Sequence, residues 1–277
     1  MRDLISVILP VKNGQDTIVR AVNSILNQSY SNLELIVIND HSVDNTHNLV
    51  YKIAKIDKRL KIYSLSHASG LSSALNFGLF LCKGEYIARM DADDVSLKDR
   101  LKEQISFIKK SNYDLVGGAA VCFDDTSKKI IGFLPIVKTE HLIRKPWSHI
   151  SIPHPTWLAK KIWFKNHQYK FPEVILAEDQ HLLLNSYIDS NFGIIDKPLI
   201  LYSVGKFNFF KNLRARKSLF VSHIKYFLIN KNFLYLSLSF LNFIFKLFYD
   251  FLIFIFPIIR EIRYTKRHDL NRYEKLL

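Results

Sequence analysis

Residues 86–96 read YIARMDADDVS. A run of strand-forming residues stops at Met90, and three carboxylates follow within four positions: Asp91, Asp93 and Asp94. The chain as a whole carries a formal charge of +14, so this loop runs against the bulk composition. Carboxylates this close repel one another unless a cation lies between them or some of them cap a helix. The segments on either side decide what kind of loop this is.

Upstream, ISVIL (5–9) is a short apolar run rich in β-branched residues, followed by Pro10 and a loop containing Gly14. QDTIVRAVNSILNQ then places Ile18, Ala21, Val22 and Ile25 at helical spacing. LELIVIND (33–40) is a second apolar run, and VDNTHNLVYKIAKID reads as an amphipathic helix. LKIYSL predicts a third strand, LSSALNFGLFLCKG a helix stopped by Gly84, and EYIARM a fourth strand. Strands alternating with helices of 10 to 15 residues predict βαβ units: an α/β fold with a mainly parallel sheet flanked by helices. In such open sheets ligands sit beyond the carboxyl ends of the strands. Asp40 ends the second strand, and Asp91 and Asp93 follow the fourth, so two strands deliver carboxylates to one rim.

Part of the acidic loop reads as helix capping. Ser96 and Asp99 fit the S-x-x-[DE] start signal for LKDRLKEQISFIKK, and Asp94 is a further candidate cap. That leaves Asp91 and Asp93, which on an extended segment would point the same way. Two hard oxygen ligands on one side suit Mg2+ or Mn2+, ions that bind one or two carboxylates together with substrate phosphates.

Taken together, ISVILPVKNGQDTIVRAVNSILNQSYSNLELIVINDHSVDNT and GLSSALNFGLFLCKGEYIARMDADD resemble the family 2 glycosyltransferases, whose nucleotide-sugar-binding fold is called GT-A. The resemblance runs over roughly residues 4 to 100, with weaker signals to about 205. It implies that Pro10, Val11 and Asn13 lie against the nucleotide and that Asp40 reads its base. It further implies that Asp91 and Asp93 are the D-x-D pair, touching the ribose and holding Mn2+ or Mg2+ on the diphosphate. Arg89 matches an arginine common just before that motif.

Further on, AEDQHLLLN (177–185) resembles the family's E-D motif at a helix start. By that match Asp179 deprotonates the acceptor hydroxyl, with Glu178 beside it. An acidic pair in a first turn is also what the helix dipole favours for purely structural reasons. SIPHPTWLAKK (151–161) resembles a His-Pro-Thr segment of related sequences and makes His154 an acceptor-side candidate, or simply part of a turn set by Pro153 and Pro155. Two departures stand out. HLLLN replaces the aromatic and basic residues that often follow the motif, and Ser203 follows Tyr202 where relatives often have arginine.

The last quarter differs from the rest. Residues 201–277 hold 14 Lys/Arg against 4 Asp/Glu and are rich in Phe, Leu and Ile. Basic plus apolar points to an anionic membrane surface, and no zinc-finger or RNP-like spacing points to nucleic acid. Residues 233–259 exceed the roughly 20 residues that span a bilayer. Asn242, Lys246 and Asp250 fall four apart, however, a polar stripe with a candidate Lys–Asp pair. A charge at the bilayer centre costs about 3 kcal/mol, so a helix lying in the interface is favoured over a spanning one. Basic residues flank it: Arg214, Arg216, Lys217, Lys225 and Lys231 before, and Arg260, Arg263, Lys266 and Arg267 after. The alternative is a helix pair packed on the catalytic domain.

The expected organisation is therefore a catalytic domain over 1–205, with nucleotide-binding and acceptor halves meeting near residue 100, and a basic, apolar helical extension over 206–277. Cys82 and Cys122 lack metal-ligand spacing and suit a reducing compartment. LISVILP lacks the longer apolar core of a signal peptide, so the amino-terminal region is expected to be cytosolic. The expected activity is inverting transfer from a nucleotide-sugar, with UDP favoured, to a glycan or lipid-linked glycan at the cytosolic face of a bacterial inner membrane. Two rivals stay open. Nucleotidyl transfer would release pyrophosphate, and a non-catalytic binding scaffold would tolerate alanine at Asp91, Asp93 and Asp179.

Overall fold

In the computed structural model, residues 3–134, 137–205, 207–256, 259, 264 and 271–276 are described. The first half of the chain alternates as the patterning predicts. It runs β1 (Ile5–Val11), α1 (Ile18–Leu26), β2 (Leu33–Asn39), α2 (Thr46–Ile56), β3 (Leu60–Ser64), α3 (Leu71–Leu81) and β4 (Tyr86–Arg89). Every residue of β1 and β2 is buried, as the interior strands of a covered parallel sheet require. The helical spacing in α1 also holds: Ile18, Ala21, Val22 and Ile25 are its buried face. Pro10 lies past the last β1–β4 partner, Ile8↔Arg89, where its missing N–H leaves no ladder bond unmade on that side.

After residue 90 the alternation stops. β5 (Val95–Ser96), α4 (Arg100–Ser111), β6 (Leu115–Asp124), β7 (Lys129–Phe133), β8 (Leu158–Lys160), α5 (Lys161–Asn166), α6 (Glu178–Ser186) and β9 (Phe192–Ser203) follow. The nine strands form one sheet in the order β3-β2-β1-β4-β8-β6-β9-β5, with β7 on β6. Pairings among β1 to β4 and between β6 and β9 are parallel, whereas β4–β8, β6–β8, β6–β7 and β5–β9 are antiparallel. The sheet is thus mixed rather than mainly parallel. Its second half mixes antiparallel neighbours with one parallel pair, β6–β9, whose partners lie far apart in the chain, a pattern no local periodicity encodes.

Three local expectations are corrected. Gly84 does not stop α3, which ends at Leu81. It is instead a point of close approach, where a Cβ would meet the Leu4 carbonyl at 2.5 Å. Asp99 occupies the N-cap position of α4 but makes no cap hydrogen bond, because its carboxylate accepts from Ser29 Oγ at 2.6 Å. Ser96 does not cap α4 either: its N–H donates to Ser24 Oγ, and its Oγ accepts from Gln28 Nε2. Tertiary partners outcompete the local cap wherever they bond the same atoms.

A helical hairpin follows, α7 (Phe209–Ile229) and α8 (Phe233–Ile255), packed on the sheet domain through α6. Asn208 and Asn232 cap the two helices, accepting from Lys211 N and Tyr235 N. A short helix, Asn271–Glu274, sets Tyr273 edge-on against Phe133.

Candidate active site

The site is built at the carboxyl ends of β1, β2 and β4 and on the segments that cross them. The loops after β1 and β2 are stitched together. Asp40 N donates to the Val11 carbonyl at 2.8 Å, Asn13 N to Ser42 Oγ at 2.9 Å, and Val43 N to Asn13 Oδ1 at 2.9 Å. Asn13 sits at φ 52°, a left-handed conformation that asparagine tolerates better than most residues. The buried Asp40 carboxylate accepts from Ser69 N at 2.7 Å and Gly70 N at 3.0 Å. Gly70 supplies the turn with φ 84°.

Residues 91–94 form a turn, not an extended segment, so the same-side argument for Asp91 and Asp93 does not apply. The turn nevertheless gathers three carboxylates. One oxygen from each of Asp91, Asp93 and Asp94 lies within 4.8 Å of the others. Asp94 is not a helix cap. It is fully buried, with Oδ1 accepting from Ser203 N at 2.8 Å and Oδ2 left without a hydrogen-bond partner. Ser203 thus acts through its backbone, which any side chain could supply. Burial, and then the Asp91 charge, push the Asp94 carboxyl well above its ordinary range and raise that of Asp93 to about 6. Arg89, also buried, sets Nη1 against Asp91, while its Nε has no hydrogen-bond partner.

Behind this loop stands Arg100, a residue the sequence reading passed over. It is buried, donates to the Arg89 carbonyl at 2.7 Å, and bonds Gln104 Oε1 at 3.0 Å. Burial pushes its guanidinium down to about 9, against the pull of Asp94. Arg20 braces the front by donating to the Asp93 carbonyl and to Asp125 Oδ1, each at 2.9 Å. For either one the sequence offers no signal beyond its place on a helix.

A cavity of about 830 Å3 opens beside the loop. Arg89, Asp91, His154, Glu178, Asp179 and Tyr202 all line it, so residues more than a hundred positions apart converge. Pro10, Val11, Asn13, Asp40 and Asp93 are outside its lining and belong to the adjoining strand ends. Glu178 and Asp179 open α6. Burial and the Asp179 charge push Glu178 up to about 7, and burial also raises Asp179. Gln180 Nε2 donates to Asp179 Oδ2 at 3.4 Å. His154 lies in the turn that Pro153 and Pro155 predict, yet also faces the cavity. Its Nε2 shares a 2.7 Å hydrogen bond with the Tyr169 hydroxyl, and its Nδ1 is 3.8 Å from Glu178 Oε1. Burial holds its ring neutral.

Comparison with known proteins agrees with this geometry. Residues 6–167 match the model of glycosyl transferase family 2, and the chain belongs to that family. The putative glycosyltransferase EpsE of Bacillus subtilis is 34% identical over 152 residues, 53% of this chain and 55% of that protein. An Escherichia coli protein, UDP-Glc:alpha-D-GlcNAc-diphosphoundecaprenol beta-1,3-glucosyltransferase WfgD, is 36% identical over 115 residues, 42% of this chain and 45% of WfgD. The first curated relatives are thus matched over about a third to about half of their length. Among solved structures, Staphylococcus aureus TarS in complex with UDP superposes with a TM-score of 0.62 at 22% identity, covering 79% of this chain and 65% of that one. The Pyrobaculum calidifontis mannosyltransferase PcManGT, in complex with GDP-Man and Mn2+, gives 0.63 at 19% identity, covering 81% and 64%. The fold is GT-A-like.

Proposed function

We propose that this chain is an inverting, metal-dependent hexosyl- or N-acetylhexosaminyltransferase. It moves a sugar from a nucleotide-sugar, with UDP favoured, to a glycan or lipid-linked glycan in bacterial surface polysaccharide or lipooligosaccharide synthesis. The observation that carries this reading is the convergence of Arg89 and Asp91 with Glu178 and Asp179 on one cavity. The residues present also fit a divalent ion: three carboxylates gather within 4.8 Å, and one buried oxygen, Asp94 Oδ2, lacks a partner. Asp91 and Asp93 would hold Mn2+ or Mg2+, which when bound supplies positive charge for the departing diphosphate.

The protein's own part follows from the side chains. Pro10, Val11, Asn13 and Asp40 form the floor for the nucleotide, with Asp40 fixed by two amides so that its position does not depend on its own rotamer freedom. Arg89 holds Asp91 in place and adds fixed positive charge beneath the diphosphate. Asp179 takes the proton of the acceptor hydroxyl as the new O–C1 bond forms and the C1–O bond to the diphosphate breaks. Burial and the Asp179 charge raise Glu178 to about 7, and burial raises Asp179. The two neighbouring carboxyls together therefore favour holding one proton near neutral pH, and the match to the E-D motif assigns the base role to Asp179. His154, neutral and held by Tyr169, shapes the acceptor side.

The C-terminal hairpin supports attachment to an anionic membrane surface as a peripheral protein on the cytoplasmic face. α8 is long and apolar enough to cross a membrane, yet only 17% of its most apolar window is buried in the protein. Its polar stripe turns inward. Ser239 and Asp250 are buried, Asn242 accepts from Ser148 Oγ at 3.2 Å, and Asp250 takes a bidentate pair with Arg216 of α7, with Nη2 at 2.7 Å. The expected Lys246–Asp250 pair gives way to this one, because Asp250 faces α7 and a guanidinium matches both carboxylate oxygens. The outward face carries Leu241, Ile244, Phe245, Phe248 and Phe251, while exposed Lys211, Arg214, Lys217 and Lys225 line α7. Apolar side chains beside exposed cations complement an anionic leaflet. The cations expected after α8, Arg260, Arg263, Lys266 and Arg267, lie outside the described residues.

Calorimetry on the purified chain tests the donor site, titrating UDP, GDP and dTDP with and without Mn2+, alongside Asp93→Ala. Metal-dependent binding of one nucleotide, lost in the variant, is the expected result. Failure of every nucleotide to bind would overturn the reading.

A further inference from the structure

The cavity has two chemical characters. Part of its lining is acidic, with Asp91, Glu178 and Asp179; another part, within residues 141–149, contributes His141, Arg144 and Lys145. The proposed transfer reaction needs the first group and leaves the second without a task. Arg144 and Lys145 are exposed, and among the described residues neither side chain has an ion pair or hydrogen-bond partner. Two unpaired cations at the wall of a cavity form a site of positive potential open to an anion.

Two bonds fix where this basic wall sits. Gln180, next to Asp179, clamps Ile150 from both sides: its Oε1 accepts from Ile150 N at 2.9 Å, and its Nε2 donates to the Ile150 carbonyl at 3.1 Å. Two residues earlier, Ser148 Oγ donates to Asn242 of α8 at 3.2 Å. The wall is therefore tied on one side to the helix that carries the candidate base and on the other to the helix whose outer face is phenylalanine and leucine. We infer that residues 141–149 form an anion subsite for a phosphate or diphosphate ester that joins the acceptor sugar to a lipid. The ester lies at Arg144 and Lys145, the acceptor hydroxyl reaches Asp179, and the lipid chain runs toward α8 and the bilayer. A guanidinium and an ammonium at one wall match the two negative charges of a diphosphate diester, the arginine through its planar fork and the lysine as a point charge.

This rests on the reading of the cavity as a glycosyltransferase site and gives its acceptor a chemical class. The test uses the full chain and phosphatidylcholine vesicles of two kinds: one carries a few per cent of polyprenyl diphosphate, the other carries phosphatidylglycerol at matched surface charge. Vesicle flotation reads binding. The expected result is about tenfold tighter binding to the diphosphate vesicles, the scale of one or two charge-assisted bonds. In Arg144→Gln/Lys145→Gln that preference disappears, while binding to phosphatidylglycerol vesicles and metal-dependent nucleotide binding stay within about twofold. Equal binding of the wild type to both vesicle types would overturn the subsite, as would a preference that survives in the variant. If the variant instead loses nucleotide affinity and keeps the lipid preference, the wall serves the donor and the assignment is wrong. A wild-type chain that binds no nucleotide in the separate calorimetry indicts the transferase reading, not the lipid subsite.

Discussion

The sheet domain and the C-terminal hairpin solve opposite problems with the same residue types. In the sheet, apolar side chains fill β1, β2 and the inner face of α1, and carboxylates stand at the strand ends. In α8 the order is reversed: Ser239 and Asp250 are buried, whereas Phe245 and Phe248 are 69% and 59% exposed. Burial of an apolar side chain stabilises a fold only against water, so a helix that hides its polar stripe and shows its phenylalanines is arranged for a different neighbour. The contrast teaches that composition alone misleads here. A helix hydrophobic enough to span a membrane uses its few polar atoms to hold on to the protein.

Breaking the catalytic side of this comparison has the largest expected effect. Asp179→Asn removes the candidate base while keeping its shape, and turnover falls about 10^3-fold with nucleotide affinity unchanged, read by sugar transfer and calorimetry side by side. Unchanged turnover would remove Asp179 from the mechanism. Next comes the bond that holds the reversed helix in place. Arg216→Ala leaves the buried Asp250 carboxylate unpaired, and we expect about 3 kcal/mol of lost stability by denaturant unfolding, against a near-neutral Lys217→Ala.

A pH experiment sharpens the same boundary. His223, buried on α7, is held neutral by desolvation and then by the nearby Lys246, with its ring pushed down to about 4. In the unfolded chain an imidazole takes a proton near pH 6.5, so between roughly 6.5 and 4 the unfolded state binds more protons and stability falls as pH drops. His223→Gln flattens that slope by about 2 kcal/mol across the window, measured as the difference between the two unfolding curves. The smallest effect concerns the outer face. Phe245→Ser or Phe248→Ser leaves stability in solution within about 0.5 kcal/mol, because both side chains are already exposed. Each weakens binding to anionic vesicles about tenfold. A chain that stays in solution with vesicles and forms a stable dimer through this face would instead assign α8 to a second copy.

How much of this was legible in the sequence varies with contact range. α1 was readable because its buried face follows the 3.6 period, and β2 and β4 because they are short, nearly continuous apolar runs of the kind a covered sheet buries on both faces. The rim carrying Asp40 and Asp91 was readable because a parallel βαβ sheet puts its strand ends on one side. Capping by Ser96, Asp99 and Asp94 was misjudged, since Gln28, Ser29 and the backbone of Ser203 claim those atoms from far along the chain. Arg100 gave no signal beyond its place on a helix, although it braces the loop from behind.

The sequence by itself determined the alternating first half, the carboxylates at its strand ends, the acidic start of α6 and the basic, apolar character of the last quarter, because each is written in neighbouring residues. Only the tertiary structure decided that the sheet turns mixed after β4, that Asp94 is buried against the backbone of Ser203, and that Arg144 and Lys145 face the same cavity as Asp179. It also decided which side of α8 faces out. These outcomes depend on pairings between residues tens to more than a hundred positions apart, and no local pattern of hydrophobicity or charge specifies such partners.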